Sequence, residues 1–104
     1  MENPVWCIVT MVKGKEAAEG MAEAAIVEGK AACSQIEGPV TSIYSWEETI
    51  HREEEMRIVF KATEAKVKDL MAWIRLQHPY KVPEILAWQA DLSDPDYRDW
   101  VNMT

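Results

Sequence analysis

The spacing of apolar residues predicts a strand and then a helix in the first third of the chain. The run Val5–Val12 is almost continuously apolar and rich in β-branched residues, which is typical of a strand covered on both faces. Residues 16–28 repeat small apolar side chains every three to four positions, so they predict a helix. Gly29 follows at the place where a helix commonly ends.

The middle of the chain carries two strand patterns joined by a polar stretch. Residues 40–46 alternate between two faces, after an interruption at Gly38-Pro39. The clearest period of two comes next, and one of its faces is formed by Met56, Ile58, Phe60 and Ala62. The polar residues 47–54 lie between the two patterns and predict the tip of a hairpin.

A second helix, a last strand and a terminal helix complete the pattern. Thr63 is a favourable N-cap, and the apolar residues after it share one helical face, namely Val67, Leu70, Met71 and Ile74. His78 ends this helix because it precedes Pro79. Residues 85–90 predict a strand, and Asp94-Pro95 starts a short helix with Tyr97, Trp100 and Val101 on one side.

The order of these elements is β-α-β-β-α-β, with one additional helix. This order predicts an α+β fold of the ferredoxin-like type: an antiparallel sheet with helices on one face and a short C-terminal helix. Residues 1–104 are expected to form a single domain. The strands carry apolar residues on both faces, however, so we expect a second copy of the chain to cover the other face.

Composition and charge argue against several kinds of binding partner and cellular location. Acidic residues outnumber basic residues by 18 to 11, and the basic residues do not cluster, so nucleic-acid binding is not expected. No run approaches the roughly 20 apolar residues of a membrane span, and no secretory pattern is present. Cys7 and Cys33 form no CxxC pair, so the sequence favours a cytoplasmic protein with reduced thiols.

Catalytic motifs are absent from the sequence. The remaining candidates for a functional site lie in one segment, residues 78–84. The sequence has no phosphate-binding glycine loop, nucleophile elbow or zinc-protease motif, so no enzyme is predicted. In residues 78–84, two prolines restrict the backbone between His78 and Glu84, which could share copper, zinc or nickel. In the structural alternative, His78 ends the helix, Tyr80 packs and Glu84 bonds to backbone. Spacing alone favours that alternative, since two donors do not make a metal site.

Several short motifs occur in an order that resembles the CutA family, the divalent-cation tolerance proteins. The resemblance extends from Val9 to Val101, and the order and spacing of the motifs make it specific. The motifs are Ala31-Ala32-Cys33, Thr41-Ser42-Ile43-Tyr44-Ser45-Trp46-Glu47, Glu55 before Lys61-Ala62-Thr63, His78-Pro79-Tyr80 with Val82-Pro83-Glu84, and finally Tyr97 and Trp100.

The resemblance implies a particular assembly. Members of this family form homotrimers in which three ferredoxin-like sheets face inward and neighbouring strand edges pair. The hairpin that carries Tyr44, Trp46 and Glu47 is then expected to reach a neighbouring subunit, as is Trp100 near the end. Five tryptophans in 104 residues agree with a core that continues across chain boundaries.

The resemblance also implies a role in tolerance of copper and other divalent metals in the cytoplasm. His78 and Glu84 match family residues tied to copper binding, and Cys33 is a third, weaker candidate. Thr10 stands where some members have a cysteine invoked in binding, which argues against tight copper(I) binding at that site. Glu48 stands where the family commonly has glycine, and it is expected to alter the hairpin but not the fold.

A second functional hypothesis uses the same assembly. PII signalling proteins share the trimer design and bind small effectors in clefts between subunits, where the rings of Tyr44, Trp46 and Tyr80 could stack on a ligand. No basic loop suited to a nucleotide phosphate is present. A trimer that only supports a partner protein is a third hypothesis, and no residue in the sequence favours it.

Overall fold

The strands and helices follow the predicted order. The computed structural model describes residues 3–104. Within that range the elements are β1 (Val5–Val12), α1 (Lys15–Val27), β2 (Cys33–Trp46), β3 (Thr49–Thr63), a 3-10 turn (Glu64–Lys66), α2 (Val67–Gln77), β4 (Ile85–Gln89) and α3 (Pro95–Met103). The sheet order is β2-β3-β1-β4, and every neighbouring pair is antiparallel. The α+β, ferredoxin-like prediction is therefore confirmed.

The main core lies between one face of the sheet and the helices α1 and α2. Ile8 on β1 and Phe60 on β3 are fully buried there, and Leu70 and Ile74 meet them from α2. The predicted face of residues 56–62 is confirmed, since every second side chain belongs to this core or packs against it. Each large apolar side chain buried in this way contributes roughly 1.5–3 kcal/mol, so this layer holds the protomer together.

The predicted bounds of α1, the end of α2 and the start of α3 are confirmed to within one residue, whereas α2 begins three residues later than its predicted N-cap Thr63 implies, after a 3-10 turn. Gly29 follows α1 with a φ of 70°, a left-handed conformation that glycine adopts at little cost. Thr63 precedes the 3-10 turn that leads into α2, but its side chain makes no capping hydrogen bond. Asp94 does cap α3, because its carboxylate accepts hydrogen bonds from the backbone N–H groups of Asp96 and Tyr97, each at 3.1 Å.

The predicted hairpin tip is wrong in extent. Residues 47–54 were expected to form the tip, whereas β2 continues to Trp46 and β3 begins at Thr49, so only Glu47 and Glu48 form the turn. Both turn residues have positive φ, 51° and 67°, as a two-residue turn between antiparallel strands requires. The error has a physical cause: residues 49–54 are polar because both faces of this part of the hairpin are accessible, not because the chain turns.

The end of the hairpin extends beyond the rest of the sheet. β1 pairs with β3 only from Met56 onwards, so residues 40–46 and 49–55 form a two-stranded ribbon. The register shifts by a bulge between Glu37 and Val40, where Gly38-Pro39 interrupts the pairing. This bulge leaves Val40 opposite Glu55 at the base of the ribbon.

α3 packs on the sheet face that α1 and α2 leave open. Val101 is fully buried but lies outside the main core, and the Tyr97 side chain reaches the Cys33 thiol on that face. The protomer therefore covers part of its second face itself. Leu86 and Trp88 of β4, also on that face, remain about half exposed. No helix formed by residues 3–104 combines the length and apolar character that crossing a membrane requires.

Candidate functional site

The loop between α2 and β4, residues 78–84, folds back onto β1 and β3. His78 ends α2 with a ψ of 133°, the extended conformation that Pro79 imposes on the residue before it. The rings of His78 and Tyr80 meet edge to face, with centroids 4.6 Å apart. The predicted site segment is thus fixed against the sheet.

The His78 imidazole is buried, and both of its nitrogens are already hydrogen-bonded. Its Nδ1 accepts from the backbone N–H of Tyr80 at 3.2 Å, so Nε2 carries the proton and donates to the carbonyl of Met11 at 2.9 Å. Burial lowers the pKa of His78 below its usual value, which favours the neutral ring. A metal ion could bind either nitrogen only after one of these hydrogen bonds had been broken.

Glu84 is held through its backbone and presents its carboxylate to solvent. The Thr10 hydroxyl donates to the Glu84 carbonyl at 2.7 Å, which fixes the end of the loop against β1. Thr10 is itself fully buried, so its hydroxyl serves as a structural link at the position where the family's cysteine was expected. The structural alternative from the sequence is therefore realised for His78, while the Glu84 carboxylate stays available.

Cys33 lies at a different place from these two residues. It is paired with Lys61 on β3, and Lys61 is paired in turn with Cys7 on β1. Cys7 precedes Met11, the residue that His78 contacts, by four strand positions, which corresponds to about 13 Å. Among residues 3–104, no three His, Cys, Asp or Glu side chains are grouped closely enough to hold a metal ion. One protomer therefore does not bring the three predicted ligands together.

A buried carboxylate lies beside the loop. Glu55, at the base of the ribbon, is only 8% exposed, and its Oε2 accepts a hydrogen bond from the Tyr80 hydroxyl at 2.6 Å. Burial, and then this bond, raise the pKa of Tyr80 well above its ordinary range, so the phenol stays protonated and remains a donor. The pair ties the loop to the ribbon.

A second, partly buried carboxylate on the ribbon has hydrogen-bond partners at both of its oxygens. Glu53 accepts the Lys13 ammonium at 2.5 Å and the Tyr44 hydroxyl at 2.9 Å. The hydrogen bond from Lys13 holds the pKa of Glu53 below its usual range. The Tyr44 ring also stacks on His51, with centroids 5.4 Å apart, so this side of the ribbon carries an ordered aromatic surface.

The ribbon and the loop enclose a groove of about 760 Å³. We call it the ribbon groove. Its wall is formed by Met11, residues 40–44, Trp46, His51, Glu53, Glu55, Arg57, residues 80–82 and Glu84. It combines carboxylates, aromatic rings and apolar side chains, and its volume lies in the range of small-molecule sites.

The sequence pattern missed Glu55 as a residue of this site. The alternation placed it correctly on the face opposite Met56, in a run of three glutamates that is typical of a solvated strand. Its burial depends on Tyr80, which is 25 residues away in the chain. No local signal marks that contact.

Comparison with known proteins decides the family. The family model described as "CutA1 divalent ion tolerance protein" matches residues 6–104. The chain belongs to the CutA family. The "Divalent-cation tolerance protein CutA" of Escherichia coli (strain K12 / DH10B) is 32% identical over 85 residues, which is 82% of this chain and 76% of that protein. The names of these CutA relatives describe a tolerance protein and no enzymatic activity.

Solved CutA structures share the whole fold. CutA1 from Ehrlichia chaffeensis is 26% identical with a TM-score of 0.93, and the match covers 99% of this chain and 96% of that chain. CutA from Synechococcus elongatus PCC7942 is 36% identical with a TM-score of 0.92, over 97% and 89% of the two chains. The same cyanobacterial protein has been solved "complexed with Bis-Tris molecule", again at 36% identity, with a TM-score of 0.88 over 97% and 93%.

The residues that the CutA resemblance assigned to subunit contacts are exposed in the protomer. Trp46 is 51% exposed near the ribbon tip, Glu47 lies in the turn, and Tyr44 forms part of the groove wall. Trp100 lies on α3, where its ring stacks on that of Tyr97 at 5.9 Å. The four residues therefore occupy two separate surfaces, one on the ribbon and one on α3.

Proposed function

We propose that this CutA protein is a cytoplasmic homotrimer of single-domain subunits that confers tolerance to divalent cations by binding copper or a related metal. The observation that carries the assembly is the ribbon of residues 40–55. A two-stranded ribbon is marginally stable alone in water, and this one bears exposed Ile43, Trp46 and Ile50. A neighbouring copy would cover those side chains, and the number three follows from the family resemblance.

We propose that the metal ligands lie on the loop of residues 78–84. A complete site then requires a second subunit. Glu84 offers a free carboxylate, and His78 becomes a ligand only by giving up one hydrogen bond. The described donors of one protomer do not fit a closed metal site. We therefore propose that a neighbouring copy supplies the missing donor. Cys33 stays a separate candidate, on the far side of β3 from Cys7 and distant from this loop.

Copper titration with parallel mass measurement tests this proposal. Metal-free wild-type protein is titrated with copper(II) chloride by calorimetry, next to His78→Gln, Glu84→Gln and Cys33→Ser. We expect the first two substitutions to weaken binding by about tenfold or more. Glu19→Gln, which removes an equal charge from the exposed face of α1, is the matched control. Equal affinity in all variants excludes this ligand set, and a monomeric mass at micromolar concentration excludes the trimer.

The ribbon groove favours a second candidate function. A cavity of about 760 Å³ with aromatic walls is suited to a small organic effector, in the manner of PII-like trimers. A thermal-shift screen of small metabolites separates the two candidates. Stabilisation by an organic compound without any response to copper would favour the effector function.

A further inference from the structure

We propose that the ribbon groove binds a small organic ammonium ion, with the Glu55 carboxylate as its counter-ion. This inference deepens the effector function proposed above and rests on it. It concerns the base of the groove, where Glu55 and Tyr80 meet, and assigns no role to His78 or Cys33.

Glu55 lacks an ion-pair partner in residues 3–104. Glu55 is more than nine-tenths buried as a residue, and the hydrogen-bond donor to its carboxylate within residues 3–104 is the neutral Tyr80 hydroxyl, while Lys13 interacts with it only through its electrostatic field. Neither lysine nor arginine from that part of the chain forms an ion pair with it. A buried carboxylate is costly unless a cation or several donors compensate it. Glu55 therefore creates a place for a cation at the base of the groove.

The other charged side chains on the groove wall differ from Glu55. Glu53 is already compensated by Lys13, and Arg57 is paired with Glu37 at 3.3 Å. Lys81 lies exposed on the loop, and the Glu84 carboxylate is exposed without an ion pair in residues 3–104. Within residues 3–104, Glu55 is thus the buried carboxylate of the groove wall that has no ion pair, while the exposed Glu84 belongs to the proposed metal site.

The chemistry of the groove wall determines which kind of cation fits there. A metal ion requires several N, O or S ligands, and no three such side chains are grouped in residues 3–104. The groove instead offers Met11, Val40 and Val82 for a carbon chain, and the Tyr44 ring for a cation–π contact. These surfaces fit an alkylammonium or guanidinium ion better than a hydrated metal. A nucleotide phosphate would be repelled by the carboxylates.

Two sources could supply such a cation: a free amine, or a lysine or arginine of a second copy. We assign the free amine, because the groove is far larger than one ammonium group and is lined along its length by apolar and aromatic side chains. The experiment has separate arms for the two sources.

The probe is 1,4-diaminobutane, titrated by calorimetry into wild-type protein, with 1,4-butanediol as the neutral analogue. We expect one diamine per subunit and no binding of the diol. Glu55→Gln keeps an acceptor for Tyr80 but removes the charge, so affinity should fall by about tenfold or more. Glu19→Gln removes the same charge away from the groove and should change affinity less than twofold.

A second variant keeps the test decisive if Glu55→Gln does not fold. Tyr44→Leu preserves every charge and removes one aromatic wall, so affinity should fall by roughly threefold or more. Diamine affinity unchanged in both variants, or equal binding of the diol, would overturn the assignment. So would a wild-type protein that binds no diamine while Glu55→Gln loses its oligomeric mass, since the cation would then belong to a second copy. The wild-type mass and copper titration report separately on the proposed trimer and metal role.

Discussion

His78 is a buried histidine whose protonation state is tied to hydrogen bonds with the backbone around it. The imidazole type and its place before a proline suggested a ligand, yet the folded chain uses both ring nitrogens for hydrogen bonds to its own backbone. The protonated form would lose the bond from the Tyr80 N–H, because Nδ1 could no longer accept it. His78 therefore links protonation to stability.

We predict that acid destabilises the metal-free protein through His78. Burial lowers its pKa below the unfolded value of 6.5, so below pH 6.5 the unfolded chain binds more protons than the folded one. The stability contributed by the neutral ring is complete above pH 6.5 and is lost as pH falls towards the folded pKa. The loss of stability is measured by urea unfolding of the wild type and of His78→Gln in EDTA, from about pH 7.5 to about pH 5. Parallel pH profiles of the two proteins would contradict this role.

Glu48 is a second residue whose local conformation conflicts with its side chain. Its φ of 67° lies in the left-handed region, where residues other than glycine lose roughly 1 kcal/mol. The family's common glycine at this position agrees with the geometry of the turn. The expected change in the hairpin is thus a matter of strain and leaves the pairing of Trp46 with Thr49 intact.

Glu48→Gly should therefore raise the unfolding free energy, by up to about 1 kcal/mol after the entropy cost of glycine is subtracted. Glu48→Ala is the matched control, since it removes the same charge but keeps the strained conformation. Thermal unfolding at a fixed protein concentration compares the three proteins. If alanine stabilises as much as glycine, charge repulsion at the tip is the cause and the strain argument is wrong.

At the level of elements, periodicity predicted what lies in the main core and missed what depends on distant contacts. The helical face of Val67, Leu70 and Ile74 and the strand face of residues 56–62 are set by their own burial, so their spacing records it. The ribbon is exposed on both faces, and its residues 49–54 therefore carry a composition that also suits a loop. The position of α3 was not predictable because a nine-residue helix with one apolar side can pack on either sheet face.

Val101 should be the anchor of α3. Val101→Ala removes two methyl groups from a fully buried site and is expected to cost about 2 kcal/mol of unfolding free energy. Met103→Ala, on the same helix but 84% exposed, should change stability by less than about 0.5 kcal/mol. Urea unfolding measures both, and hydrogen exchange of the Cys33 amide reports whether α3 has detached. Equal effects of the two substitutions would show that α3 is not docked through Val101.

At the level of the whole molecule, the tryptophans differ in burial: some pack inside the chain and others lie on its surface. Trp73 is buried on α2, and its indole N–H donates to Glu28 at 3.1 Å. Trp46, Trp88 and Trp100 are about half exposed and lie on the ribbon, the second sheet face and α3. The family and the fold of one chain could be predicted from the sequence, whereas the proposed subunit contacts depend on a partner surface that the sequence of one chain does not display.

Trp46→Ala should weaken assembly more than it weakens the protomer. The indole is about half exposed near the ribbon tip, so its removal leaves no cavity in the main core but deletes apolar surface from the proposed subunit contact. Sedimentation equilibrium over a dilution series measures assembly, and circular dichroism measures the protomer. Leu76→Ala, which removes a more exposed apolar side chain (83%) from α2, away from the ribbon, is the control. An unchanged dissociation constant for Trp46→Ala would remove Trp46 from the interface.

The strand order also determines when the sheet can form. β1 is one of the two central strands, and its partner β4 pairs with it through Trp6–Gln89 and Thr10–Ile85, residues roughly 80 positions apart in the chain. During synthesis one edge of this apolar strand therefore keeps its backbone N–H and C=O groups unpaired until β4 has left the ribosome. Over that interval the exposed strand is a site for misassembly with other nascent chains. Completion of the fold is consequently a late event in synthesis, because it requires residues 85–89.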